Sequence, residues 1–122
     1  ARDFESVLRL ADVVFLNDRE ADCVTCDVDA VEVRTYGRAG AEVEVAGDGR
    51  YTHPGFPADV IDTTGAGDAF AAGFLTAFLE TASYEEALVV ANACGALASE
   101  VRGARASLSW GAVEAVRARG PE

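Results

Sequence analysis

The chain has 122 residues, 50% of them hydrophobic, enough for one domain with a real core and too apolar for a disordered segment. It carries 21 acidic residues against 10 basic ones, and its net charge of −11 argues against nucleic acid and anionic membrane as partners. No apolar run is long enough to span a membrane and no N-terminal signal pattern is visible, so the expected compartment is the cytoplasm.

Every basic residue is Arg. Molar salt screens the self-repulsion of so acidic a surface, and the acidic, lysine-free composition fits a halophilic protein or, alternatively, an acidic domain from an Arg-rich, high-GC proteome. In chain order, Val7, Leu8 and Leu10 have the spacing of a helix end. Residues 11–16 (Ala-Asp-Val-Val-Phe-Leu) form a short apolar run, predicted to be a buried parallel strand. Asn17 to Glu20 follow at its C-terminal end, where open α/β sheets gather their functional groups. Cys23 and Cys26 form a lone Cys-x-x-Cys. A structural zinc needs four ligands, and only Cys94 and His53 remain to complete a set. Buried thiols are the default expectation.

Residues 31–35 and 41–45 alternate apolar and polar side chains around Gly37 and Gly40, the pattern of two paired strands joined by a turn. Glu32 and Arg34 in the first of them predict an exposed or edge strand. Arg50–His53 adds a short strand, and Val60 and Ile61 an extended approach to a Gly-rich turn. Residues 69–79 carry no charge, so a buried helix is expected, with Phe70, Phe74 and Phe78 stacked at four-residue spacing. Ser83-x-x-Glu86 reads as a capping box opening a second helix that runs to about Val101. Gly103 suits its stop, and Ser109 caps a last helix over 110–117.

The most informative stretch is residues 60–70, Val-Ile-Asp-Thr-Thr-Gly-Ala-Gly-Asp-Ala-Phe. Backbone N–H groups of a Gly-rich turn at a helix start form an anion site. Asp68 in that turn repels the anion the turn attracts. Two readings account for it: a base that takes a proton from a hydroxyl attacking a phosphate, or a first-turn charge facing the helix dipole. The absence of Lys excludes a Walker A loop, and Phe70 stands where a Rossmann fingerprint needs its third glycine.

Residues 62–70 closely resemble the C-terminal signature of the PfkB (ribokinase-like) carbohydrate kinases, Asp-Thr-x-Gly-Ala-Gly-Asp-x-Phe. The resemblance implies an α/β fold, the C-terminal part of a ribokinase-like three-layer sandwich with a mostly parallel sheet flanked by helices. Residues 1–122 would then be the nucleotide-binding portion of the kinase domain, with the N-terminal part and the lid absent. It implies transfer of the ATP γ-phosphate to a hydroxyl of a small sugar or sugar-like substrate. Asp68 would be the general base, and Gly65, Ala66 and Gly67 the anion hole. Asn17-x-x-Glu20 resembles the family's Asn-x-x-Glu motif, which places Mg²⁺ largely through water, here by Glu20. Thr35-x-Gly37-x-x-Gly40 resembles the turn beside the nucleotide, and Asn92 a position near the adenine. Asp62, Thr64, Gly103 and Ser107 resemble positions around a monovalent cation such as K⁺.

Three departures accompany the resemblance. The acceptor-binding portion is missing, the stretch between Glu20 and Val31 is short, and the strand 31–35 bears Glu32 and Arg34 where the family more usually has buried apolar residues; separately, Ser109 stands where the family often has Pro. They predict a fragment, a remnant or a trimmed form. An exposed apolar face and self-association would follow. The reading from another class is a non-catalytic binding or assembly domain.

Overall fold

A computed structural model describes residues 13–17, 31–45, 49–101 and 109–121. β-Branched and aromatic residues recur in its strands: β1 (Val13–Asn17), β2 (Val31–Thr35), β3 (Ala41–Val45) and β4 (Gly49–His53). They stand side by side in the order β1-β2-β3-β4. β1 runs parallel to β2, while β2 with β3 and β3 with β4 are antiparallel. This stretch of sheet is therefore mixed, where the resemblance implies a mostly parallel one.

Register puts Phe15, Val33, Val43 and Tyr51 in one row across the sheet. Val33 and Val43, at the row's centre, are wholly buried. The opposite face carries Glu32, Arg34, Glu42, Glu44 and Arg50. The expectation that β2 is an edge strand is wrong, since β2 lies between β1 and β3. Its charges are accommodated by pairing rather than by solvent. Arg34 binds Glu32 at 2.8 Å and Glu42 at 3.6 Å, and Arg50 reaches Glu44 at 3.1 Å. The Tyr36 hydroxyl donates to Glu42. Antiparallel strands tolerate one polar face in this way.

The helices are α1 (Ala66–Thr81), α2 (Tyr84–Ser99) and α3 (Trp110–Arg117). α1 and α2 cross closely because the residues between them are small. A Cβ on Gly73 would stand 2.7 Å from Cys94 Sγ and 3.4 Å from Ala91 Cα. Phe74 of α1 packs edge-on against Phe15 of β1 at 5.6 Å, and Phe78 stacks on Tyr84 at 4.7 Å. Burial of a side chain like that of Phe74 stabilises by about 2–3 kcal/mol. The four-residue spacing of the phenylalanines turns the rest of α1 outward. Leu75 and Leu79 are 41% and 85% exposed, so α1 is not the wholly buried helix its lack of charge predicts.

Both predicted caps form. Ser83 Oγ accepts the Glu86 N–H, and Ser109 Oγ the Ala112 N–H, each at 3.1 Å. The capping box is only half made. Thr81 Oγ1 takes the Ser83 N–H at 3.2 Å, and Glu86 pairs with Arg117 of α3 at 2.9 Å. Among the described residues no helix is long and apolar enough to cross a membrane.

Candidate functional site

A cavity of about 630 Å³ opens at the C-terminal ends of the parallel strands β1 and β2. Its volume falls in the range of small-molecule sites, and its place is where open α/β sheets bind ligands. Asn17 and Thr35, the last residues of β1 and β2, lie on its rim. Gly37 and Gly40 of the connecting turn, Ala66 and Gly67 of α1, and Asn92 of α2 also line it. The structure thus brings together four segments that the sequence singles out separately.

The turn between β2 and β3 is held by its own backbone: the Tyr36 N–H donates to the Gly40 carbonyl at 2.9 Å. Thr35 Oγ1 reaches back to the Leu16 carbonyl at 3.5 Å, tying the two strand ends together. Asn92 is buried, and its Nδ2 donates to the Leu88 carbonyl at 2.8 Å, which fixes the carboxamide against the helix.

Gly65 caps α1 in the left-handed region, with φ 81°, a conformation that favours glycine. The turn before it is an Asx turn. Asp62 Oδ1 accepts the Thr64 N–H at 2.9 Å and the Thr64 hydroxyl at 2.7 Å. The Ala66 N–H, expected to face an anion, donates instead to the Thr63 carbonyl at 3.1 Å. The N–H groups of Gly65, Gly67 and Asp68 find no acceptor among the described residues. Asp68 sits exposed on the first turn of α1, just beyond Gly67, and no described side chain pairs with its carboxylate.

Glu20, Gly103, Ser107, Cys23 and Cys26 lie outside the described residues. Cys94 is a buried thiol whose pKa burial raises. His53 packs on Phe56 at 4.9 Å, and its Nδ1 accepts the Gly55 N–H at 2.9 Å, so its role is structural. Among the described residues no cluster of His, Cys, Asp and Glu is able to hold a metal ion by itself.

Sequence reasoning missed much of the lining. Phe56, Ala58 and Phe70 supply apolar wall, and Gly95, Ala96 and Ser99 continue the stripe begun by Asn92. That stripe has a signal, small residues at helical spacing from Asn92. The segment around Phe56 has none, because it belongs to no regular element.

A model of the pfkB family of carbohydrate kinases matches residues 1–111. The chain is 44% identical over 123 aligned residues to the ATP-dependent ribose-1-phosphate kinase of Halopiger xanaduensis, covering 93% of this chain and 41% of that protein. It is 33% identical to the ribokinase of Haemophilus influenzae, covering 85% of this chain and 40% of that one. The fold matches fructokinase from Vibrio cholerae, solved with fructose, ADP and a calcium ion, with a TM-score of 0.80 and 30% identity over 91% of this chain and 42% of that one. It also matches aminoimidazole riboside kinase from Salmonella enterica, solved with aminoimidazole riboside and an ATP analog, with a TM-score of 0.79 and 26% identity over 92% of this chain and 44% of that one. The chain spans about two fifths of the length of the curated relatives it matches.

Proposed function

The chain belongs to the pfkB family of carbohydrate kinases, and from that premise we propose that it carries the nucleotide site of an ATP-dependent phosphotransferase acting on a hydroxyl of a sugar or sugar-like molecule. One observation supports this above the others: Asn17, Thr35, Gly67 and Asn92, far apart in sequence, line one cavity at the strand ends. Relatives of the same fold were solved with ADP or an ATP analog.

In this reading the purine lies toward Asn92, between the small residues of α2 and the apolar wall. The phosphates point to the start of α1. The N–H groups of Gly65 and Gly67, which have no acceptor among the described residues, stabilise charge on the transferred phosphoryl group. Ala66, whose N–H is engaged by Thr63, contributes by shaping the turn. Asp68 takes the proton of the acceptor hydroxyl as its oxygen attacks the γ-phosphorus and the bond to the β-phosphate oxygen breaks, releasing ADP. Mg²⁺ travelling with the nucleotide would neutralise phosphate charge, with Asn17 and Glu20 orienting its water. Asp62 and Thr64 belong to the turn that K⁺ would support.

The chain's relatives include ribose-1-phosphate, ribose and fructose kinases, which supports a hydroxyl of a sugar or sugar-like molecule as the acceptor. An ADP-release assay over a panel of pentoses, hexoses and ribose 1-phosphate, run on the protein that contains this chain, tests the reading. Sugar-dependent ADP release supports it, and none with any member of the panel overturns it.

A further inference from the structure

α2 ends beside the irregular wall of the cavity, and its last turn grips that wall at several points. The Ser99 carbonyl accepts the N–H groups of Ile61 and Asp62 at 2.7 and 3.0 Å. Glu100 Oε2 accepts the Asp59 N–H at 3.0 Å. The same carboxylate receives a two-pronged pair from Arg119, Nη1 to Oε2 at 3.0 Å and Nη2 to Oε1 at 3.1 Å. Arg119 Nη1 also donates to the Pro57 carbonyl at 2.9 Å. Residues 57–62 belong to no helix or strand, yet Ala58 and Val60 line the cavity and the segment runs directly into the Gly65 turn.

A segment without a ladder must find its backbone partners elsewhere. Here they come from one ion pair and one carbonyl. The Glu100 side chain is 20% exposed and that of Arg119 37%, so the pair is shielded on much of its surface. Two-pronged Arg–carboxylate pairs fix geometry as well as supply energy. Neither side chain lines the cavity; each reaches it through the backbone of Pro57 and Asp59.

We propose that Glu100 and Arg119 are positioning residues for this cavity: the pair sets the course of residues 57–62 and, through them, the Gly65 turn. The geometry stands by itself, and its consequence for a nucleotide rests on the kinase reading.

The test compares the unaltered chain with Arg119→Ala, Glu100→Gln and the charge-swapped double variant Glu100→Arg/Arg119→Glu. Three quantities are read: thermal midpoint, amide exchange at residues 59–62, and MgATP affinity by calorimetry. Arg119→Ala is expected to speed exchange at Asp59, Ile61 and Asp62 roughly tenfold, and to weaken MgATP binding by a similar factor, while mid-helix amides of α1 keep their protection. Glu100→Gln, which keeps a neutral acceptor, is the milder variant and is expected to fall between. The swapped pair restores opposite charges but offers the Asp59 N–H no acceptor. It should recover the thermal midpoint and leave exchange and affinity impaired. Recovery of all three would reduce the pair to a tether and overturn the proposal, as would unchanged exchange at 59–62 in Arg119→Ala. An unaltered chain that binds no MgATP defeats the kinase reading instead, and exchange at 59–62 then decides the positioning role alone.

Discussion

Gly40 lies so close to His53 that a Cβ placed on it would stand 1.9 Å from the His53 carbonyl oxygen. The contact locks the turn after β2 to the end of β4, and both pieces flank the cavity through Gly37, Gly40 and Gly55. The Gly40 φ of 94° adds a second reason for glycine. Gly40→Ala is therefore expected to destabilise the fold by at least ~2 kcal/mol, because neither the carbonyl nor the φ angle yields cheaply. Urea denaturation checks this, and an unchanged midpoint contradicts it.

The crossing of α1 over α2 gives a second expectation. Gly73→Ala puts a methyl 2.7 Å from Cys94 Sγ, an overpacking that costs on the order of 1–3 kcal/mol, offset in part by better helix propensity. Cys94→Ala removes the obstructing sulfur. The double variant should be more stable than the sum of the two single effects, and a double-mutant cycle reads the coupling, expected at about 0.5–3 kcal/mol. Strict additivity would show that the two positions do not meet.

Acid should weaken the fold through two groups. Burial pushes the His53 pKa down, so the folded state binds this proton less readily than the unfolded chain. Its share of stability is present above about 6.5 and is lost as pH falls below that value. Glu100 follows at lower pH. The hydrogen bond from Arg119 holds its carboxyl below the usual range, so its share is present above about 4.3 and lost as pH falls through the folded value. In His53→Gln the urea midpoint should change less between pH ~7 and ~5 than in the unaltered chain. An identical pH profile would remove His53 from the account.

Much of the scaffold is legible in the sequence because it is local. Alternation over 31–35 and 41–45 gives β2 and β3 their bounds, and Ser83 and Ser109 announce their helices. The edge reading of β2 fails because Glu32 and Arg34 suggest solvent, whereas Arg34 pairs with Glu32 and also with Glu42, which comes from a strand the pattern does not pair charge by charge. Glu86 reads as a capping-box residue, and a helix 31 residues away claims it. In the site, Gly65, Gly67 and Asn92 stand out by motif. The wall at Phe56 and Ala58 does not, since its course is set by long-range bonds such as that from Arg119 to Pro57.

Two variants at the start of α1 separate binding from chemistry. A Cβ on Gly67 meets nothing within 4 Å, so Gly67→Ala fits the helix and is expected to keep or raise stability, by up to ~1 kcal/mol. The added methyl lies where Gly67 lines the cavity, and MgATP affinity should fall roughly tenfold if phosphate approaches that backbone closely. Asp68→Asn in the protein that contains this chain should lower phosphoryl transfer by on the order of a hundredfold or more and leave MgATP affinity nearly unchanged. Equal turnover by Asp68→Asn would remove the base from the mechanism.

The most direct test of the central claim is calorimetric titration of MgATP into this chain in roughly molar KCl, a salt that screens its surface charge. Circular dichroism on the same sample reports whether it is folded. The account predicts saturable binding at one site, weakened by Gly67→Ala. A folded chain that gives no saturable heat with MgATP would contradict it and leave a kinase-like domain without its nucleotide site.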